Sequence, residues 1–358
     1  MMETTNQSTE MKDITIIGGG SAGLYAAFYA GMRDLSVQII ELRDRLGGKI
    51  NFYPQKLIWD VGGITPIGGG ELIDQLVEQG KTFDPTVYLN EQIVKLEKID
   101  DLFVATGSSG ETFLSRKVIL ATGTGIAQPK KLPLEDAIKF ERTNVHYQIK
   151  ELEYFKGKRV LMIGGGNSSI DWANEIEPLA KEMTLIHRND QFKAHEAQLS
   201  KLEKSSTTIK THTEIKKLIP DHTQTKVAAV TLFHNQTGIE EQISVDEVIV
   251  NIGIDRQANF FHDNEKLDLE LVDNGYLIKG DSKGITNIEG LYACGDTMDF
   301  DGKLRLIAGA FNDAGNAVNH IKLNLDPDAK PKAKVSSHNK RFDEKNQKLR
   351  AHLYGDKL

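Results

Sequence analysis

The feature that most constrains this 358-residue chain is a pattern of strand, glycine turn, helix and strand that occurs twice. The first copy runs from Asp13-Ile14-Thr15-Ile16-Ile17 into Gly18-Gly19-Gly20-Ser21-Ala22-Gly23, then an apolar helix stopping near Gly31, then a strand Val37-Gln38-Ile39-Ile40 that closes on Glu41. The second runs from Arg159-Val160-Leu161-Met162-Ile163 into Gly164-Gly165-Gly166-Asn167-Ser168-Ser169, a helix through Trp172 to Ile176, and a strand Met183-Thr184-Leu185-Ile186 that closes on His187-Arg188. Twenty-three residues separate Gly18 from Glu41, and the same number separates Gly164 from His187. A buried strand that feeds a helix through a glycine turn and returns as a second buried strand is a βαβ unit. Two such units at one spacing predict an α/β chain with two Rossmann-like nucleotide-binding domains of the three-layer ββα type.

The stretches around the second unit predict that it is nested inside the first domain. Candidate strands Phe103-Val104-Ala105-Thr106, Lys117-Val118-Ile119-Leu120, Val227-Ala228-Ala229-Val230 and Glu247-Val248-Ile249-Val250 read as hairpin-like. Two of these runs close on glycine, at Ala121-Thr122-Gly123 and Asn251-Ile252-Gly253, as expected where a chain leaves a domain and returns to it. The expected division is a discontinuous domain of residues 1–122 and 252–358, with an inserted domain of residues 123–251. Residues 329–358 extend beyond the last expected helix. Between Ala329 and Arg350 lie eight basic and two acidic residues, a local charge of +6 in a chain of net −7. Such a run reads as a solvated or disordered tail.

Composition excludes several classes of function. With 44 Lys and Arg against 51 Asp and Glu, the chain is not expected to bind nucleic acid. The polar N-terminus MMETTNQSTEMK and the lack of any long apolar run predict a cytoplasmic protein with no membrane span. Cys294 is the only cysteine, which removes disulfide frameworks, thiolate metal clusters and CxxC redox pairs; alone it reads as a small buried apolar side chain.

The two glycine turns lead into different chemistry. In the first, Gly18 makes the turn, Gly20 lets a pyrophosphate approach the backbone and Gly23 packs helix on strand. Ser21 and Ala22 open a helix whose N-terminus favours phosphate. Glu41, at the strand tip, can accept from both hydroxyls of a ribose without a 2′-phosphate. In the second, Gly164 and Gly166 repeat the turn and Asn167 and Ser168 open the helix, but the strand ends on His187 and Arg188, with Lys193 close behind. Cations at that tip favour a 2′-phosphate. One nucleotide without a 2′-phosphate and one with it point to FAD and NADP(H); the competing readings are a surface Glu and ordinary surface charges. A third motif, Gly290-Leu291-Tyr292-Ala293-Cys294-Gly295-Asp296, ends a short strand on Asp296, which could accept from a ribityl hydroxyl or serve as a turn residue. Leu306-Ile307-Ala308-Gly309 then opens a helix suited to the flavin's pyrimidine edge.

As a set, these residues resemble the low-molecular-weight thioredoxin reductases over nearly the whole chain. Those enzymes carry a CxxC in the NADP domain, and the corresponding stretch after Thr143 has no cysteine here. Bacillithiol-disulfide-reductase-like relatives place a cysteine in the first glycine motif, where this chain has Ser21-Ala22. The resemblance therefore narrows to the dithiol-free branch, the thioredoxin-reductase-like ferredoxin-NADP(+) reductases of bacteria. Leu46-Gly47-Gly48, Tyr53-Pro54, Asp171-Trp172-Ala173 and Phe192-Lys193-Ala194-His195-Glu196 fit that branch.

The resemblance implies that Glu41, Lys49, Tyr53, Val94, Ala127 and Asp296 contact the flavin, with Tyr53 stacked on one face of its ring. It also implies a homodimer in which His338 of the extension covers the other face from the partner subunit. Three positions depart from the family pattern: Lys49 replaces a common Gln, Ala127 an aromatic residue and Asn189 a second Arg after His187. The implied activity is hydride transfer from NADPH to flavin and single-electron transfer to ferredoxin or flavodoxin, with no catalytic side chain and no metal. The inserted domain is expected to rotate about Thr122-Gly123 and Ile252-Gly253, and the basic tail to dock the acidic carrier. The alternatives are an NADPH-dependent reductase of quinones, free flavin or dioxygen, and a flavoprotein redox sensor without sustained turnover.

Overall fold

The computed structural model describes residues 10–125, 127–149, 151–256, 267–273 and 275–354. Contacts divide the chain into two units, Met1–Ile126 with Gln257–Leu358, and Ala127–Arg256. The division falls three residues beyond Gly123 and three beyond Gly253 because Ala127–Pro129 and Ile254–Arg256 pair antiparallel, Ala127 opposite Arg256, within the second unit.

The first unit is built on a seven-stranded sheet. Lys12–Ile17 lies at its centre, parallel to Val37–Ile40 on one side and to Thr112–Leu120 on the other. The nine-residue strand Thr112–Leu120 serves two partners on its far edge. Its first half pairs antiparallel with Leu102–Gly107, and its second half pairs parallel with Leu291–Ala293. Ile17, Leu120 and Ala293 thus end at one edge of the sheet, and the glycine turn, the Thr122 segment and the Gly295-Asp296 turn emerge side by side. In open α/β sheets that carboxyl edge is where ligands bind.

Helix Ser21–Met32 buries Ala22, Gly23, Leu24, Ala26, Ala27, Ala30 and Gly31. A helix of small and apolar residues can be covered on more than one side, and this one packs against Ile307–Leu325 through Tyr25 and Phe311, whose rings stack at 4.9 Å.

The second unit has a five-stranded parallel sheet in the order Val145–His146, Glu247–Val250, Arg159–Ile163, Glu182–Ile186, Thr208–Lys210. The sequence places Glu247–Val250 in a hairpin, and it lies instead inside this parallel sheet, beside Arg159–Ile163. Its four consecutive buried residues account for the difference, since a strand covered on both faces does not alternate. Val227–His234 does form a meander, between Thr213–Pro220 and Glu240–Ser244.

The basic extension is not the loose tail its charge suggests. Arg33 donates to Lys330 O at 2.7 Å and to Asn319 Oδ1 at 3.0 Å, and Asn339 donates to Met32 O at 3.0 Å. Phe342 meets Phe83 edge-on at 5.2 Å. One Asn and one Phe within a charged run anchor residues 330–342, and helix Asp343–Tyr354 comes next with mostly exposed side chains. Among the described residues, no helix is long and apolar enough to cross a membrane.

Candidate nucleotide sites

The first site forms where Lys12–Ile17 gives way to helix Ser21–Met32. Gly18 has φ +109°, and a Cβ there would come within 2.4 Å of Ala121 O, so only glycine fits this turn. Gly20 is different: a Cβ would touch only Gly48 Cα, at 3.6 Å. The protein therefore does not itself require glycine at this position, and the space is available to a ligand. Ser21 and Ala22 are the first helical residues, and the N-cap Gly20 offers no side-chain cap, so the first-turn N–H groups remain for an anion.

A second loop roofs the turn. Gly47 N–H donates to Gly19 O at 2.9 Å, and Asn51 Nδ2 donates to Leu46 O and Gly48 O at 3.0 and 3.1 Å. Gly48 thereby comes to face Gly20. In the sequence the doublet Gly47-Gly48 fits a family pattern; its close packing on the first glycine turn emerges only from these contacts.

Glu41 lies at the expected strand tip and is 6% exposed. Its Oε2 accepts from Gly19 N–H at 2.7 Å and its Oε1 from Arg43 N–H at 3.0 Å. Each oxygen retains a lone pair for a sugar hydroxyl, and the two backbone bonds fix where those lone pairs point.

Asp296 sits half-buried in the turn after Leu291–Ala293. Gly295 abuts Ala22, with a Cβ there falling 2.9 Å from the Ala22 Cβ. Tyr53 is half-buried at the end of the Gly48–Phe52 turn, and burial together with the Asp296 and Asp60 carboxylates pushes its phenol above the ordinary range. Gly18, Gly20, Ser21, Ala22, Gly23, Glu41, Tyr53 and Asp296 thus surround one cleft edge.

The remaining residues of this set are dispersed. Lys49 is exposed next to Gly48. Val94 is 43% exposed near the start of Ile93–Ile99, a strand reached from Glu41 through the Glu91 N–H to Glu41 O bond of 3.0 Å. Ala127 begins a strand of the other unit, and its side chain lies outside the described residues. His338 is exposed, and the adjoining Asn339 is tied to Met32 at the C-terminal end of the first helix. The glycine turn is at the N-terminal end of that 12-residue helix, about 18 Å away at 1.5 Å per residue.

Cys294 is fully buried beneath the Asp296 turn. Burial, with the nearby Asp313 carboxylate, pushes its thiol up to about 12. It is a packing residue, not a nucleophile.

The second site repeats the first in the inserted unit. Gly164, at φ +153°, would place a Cβ 2.2 Å from Asn251 O, whereas a Cβ on Gly166 would meet nothing within 4 Å. Residues after the strand tip fold back over this turn: Lys193 N–H donates to Gly165 O at 2.7 Å, and Asn167 Oδ1 accepts from His195 N–H at 2.8 Å. Asn167 therefore commits its side-chain oxygen to the wall of the site, while Ser168 is exposed.

His187 occupies the place that Glu41 holds in the first unit, its ring lying over the middle glycine, Gly165. Its Nε2 approaches Gln191 O at 3.2 Å, and the ring lies 5.1 Å from that of Phe192. Burial, with the Arg188 charge beside it, lowers the His187 imidazolium below its usual range. Arg188 and Lys193 are exposed. The Arg188 carbonyl accepts from Asn235 Nδ2 at 2.8 Å, so the Thr213–Pro220 and Val227–His234 hairpin steadies this strand tip, a role with no signature in the sequence.

Both sites thus pair an obligatory glycine with a spare one that leaves open room at a helix N-terminus. That arrangement suits a pyrophosphate. One site adds a fixed carboxylate and the other two exposed cations.

Residues 12–317 match the model of the pyridine nucleotide-disulphide oxidoreductase family. The chain is 48% identical over 341 residues to ferredoxin-NADP reductase 1 of Bacillus cytotoxicus, covering 95% of this chain and 97% of that protein. It is 46% identical over 343 residues to ferredoxin-NADP reductase 1 of Oceanobacillus iheyensis, covering 96% and 98%. The thioredoxin reductase of T. acidophilum superposes with a TM-score of 0.72 at 26% identity, covering 88% of this chain and 99% of that one.

Proposed function

The chain belongs to the pyridine nucleotide-disulphide oxidoreductase family, in its ferredoxin-NADP reductase branch, and we propose that it passes electrons between NADPH and a ferredoxin or flavodoxin through bound FAD. The observation that supports this most is the contrast between two equivalent turns: Glu41 bonded to Gly19 in one, and His187 over Gly165 followed by Arg188 in the other. A carboxylate repels a 2′-phosphate and the exposed Arg188 and Lys193 cations attract it, so the first turn takes FAD and the second takes NADP(H).

Each residue then has a binding task. Gly20, with Gly48 packed beside it, leaves the FAD pyrophosphate room to approach the backbone, and the first turn of helix Ser21–Met32 supplies N–H donors. Glu41 orients the adenosine ribose. Asp296 accepts from the ribityl chain, and Tyr53 covers one ring face. Gly164, Gly166, Asn167 and Ser168 receive the NADP pyrophosphate, while His187, Arg188 and Lys193 surround the 2′-phosphate. Lys49 and Val94 complete the flavin set within this unit. Bound there, FAD supplies the conversion of a two-electron hydride donor into single-electron transfers. No side chain is assigned as acid or base; the protein positions its cofactors.

A thiol relay is not open to this chain, because its one thiol is buried and protonated and a disulfide needs two. Electrons therefore leave directly from the flavin to a carrier. We place the protein in the cytoplasm, as a homodimer. Its exposed His338, held at the far end of the first helix from its own glycine turn, is suited to cover a flavin of the second copy. The basic extension is suited to an acidic carrier.

Absorbance of the purified protein, followed during anaerobic titration with NADPH and with NADH, tests the cofactor assignment. A flavin spectrum bleached at lower NADPH than NADH concentration is expected. A colourless protein, or equal bleaching by both nucleotides, contradicts it.

A further inference from the structure

The loop that precedes helix Ile307–Leu325 carries a lysine, Lys303, whose side chain is only 3% exposed. Its partner is Asp313, 4% exposed, in the second turn of that helix, and the Lys303 ammonium donates to Asp313 Oδ2. The same Oδ2 accepts the Gly295 N–H at 3.1 Å. One carboxylate oxygen therefore ties together the loop, the helix and the residue immediately before Asp296.

Desolvating two charges is costly, and well-packed apolar side chains of similar volume commonly stabilise a core as well or better. Core cohesion therefore does not explain a buried lysine and aspartate here, where Ala310, Ala314 and Ala317 of the same helix already pack in the core. The ionic pair provides what an apolar pair cannot, a strong acceptor fixed on the Gly295 N–H with its counterion beside it. Gly295 has φ +75° and lies against Ala22. A peptide in that left-handed conformation, pressed on the first helix, has little tolerance for displacement.

We propose that Lys303 and Asp313 form the positioning pair of the flavin-binding turn, fixing the Gly295 peptide so that the Asp296 carboxylate and the start of helix Ile307–Leu325 meet the cofactor in register. The inference rests on the assignment of FAD to the first glycine site. Neither residue touches the cofactor; both act through Gly295. The two charges also cancel locally. Removing Lys303 alone leaves an uncompensated carboxylate near the flavin and lowers its midpoint potential, whereas removing both charges restores local neutrality without restoring the anchor.

The test compares wild type with Lys303→Met, Lys303→Arg, Asp313→Asn and the double variant Lys303→Met/Asp313→Asn, reading FAD dissociation, the visible circular dichroism of bound flavin and its midpoint potential. The double variant and Asp313→Asn are expected to bind FAD at least tenfold more weakly, with an altered flavin dichroism and an unchanged far-ultraviolet spectrum. Lys303→Met is expected to lower the potential, and Lys303→Arg to retain wild-type values. A folded double variant with wild-type FAD affinity and dichroism overturns the proposal. If the double variant fails to fold, wild-type affinity and dichroism in the isosteric Asp313→Asn overturn it instead. Wild-type protein that binds no FAD defeats the cofactor assignment, whereas wild-type protein that binds FAD beside indifferent variants defeats the positioning role alone.

Discussion

Gly20 and Gly48 face each other across the first turn, and a Cβ on Gly48 would come within 2.7 Å of the Gly20 Cα. Gly20 has ordinary extended backbone, φ −79° and ψ −172°, and only Gly48 near its missing side chain. The neighbouring Gly18, at φ +109° against Ala121 O, is required by the fold. Gly20→Ala is therefore expected to fold with a stability change within about 0.5 kcal/mol yet lose most of its bound FAD, while Gly18→Ala is destabilised by several times that amount. Thermal unfolding with saturating FAD and flavin content after gel filtration separate the two. Gly166→Ala should likewise fold normally and raise KM for NADPH without changing flavin content, because nothing in the protein lies within 4 Å of its Cβ position.

On the proposed reading, Arg188 and its backbone clamp set nucleotide preference. Arg188→Ala is expected to raise KM for NADPH about tenfold, the cost of a charge-assisted hydrogen bond, and to leave KM for NADH unchanged. Asn235→Ala removes the 2.8 Å bond to the Arg188 carbonyl and should cause a smaller shift in the same direction, with kcat retained. Steady-state kinetics with both nucleotides check this; parallel loss for NADPH and NADH would place Arg188 outside the 2′-phosphate pocket.

Much of this is legible in residue spacing, and the exceptions have physical causes. The glycine turns can be read because backbone geometry demands particular residues at fixed offsets: Gly18 and Gly164 are each wedged against a carbonyl of a neighbouring strand end. Glu247–Val250 misleads because a strand buried on both faces carries no alternation. The extension misleads because its charge obscures Asn339 and Phe342, two residues that anchor it to Met32 and Phe83. Lys303 and Asp313 are invisible for another reason: a buried ion pair has no periodicity and no fixed spacing, and each residue alone resembles a surface charge.

Acid should loosen the inserted unit first at Glu247. Burial alone would raise this carboxyl, but hydrogen bonds from His146 at 2.6 Å and Lys158 at 2.8 Å outweigh it and hold the group below its ordinary 4.5. A depressed carboxylate stabilises the fold fully above its unfolded value and loses that contribution as pH falls through the folded one. Glu247→Gln should cost about 1–3 kcal/mol at neutral pH and flatten the decline of stability below pH 4.5. Thermal melts from pH 3 to 8 read both effects, and an unaltered acid limb in the variant would show that another group governs it.

Cys294 should be silent in redox chemistry. Its thiol, fully buried and raised to about 12, is expected to react with a disulfide reagent only after unfolding. Cys294→Ala should retain carrier reduction within a factor of about two, with a stability cost typical of losing one buried small group, about 1 kcal/mol. Rapid labelling of the native protein, or an inactive variant that still holds FAD, would contradict this.

The central claim is that electrons pass from NADPH through flavin to a one-electron protein carrier with no thiol between. Its most direct measurement is the anaerobic reduction of ferredoxin and of flavodoxin by NADPH and the FAD-loaded protein, at low and at high salt. Catalytic reduction of at least one carrier, faster at low salt, is the predicted result. A flavoprotein that oxidises NADPH with quinone or air but reduces neither carrier at low salt would contradict it.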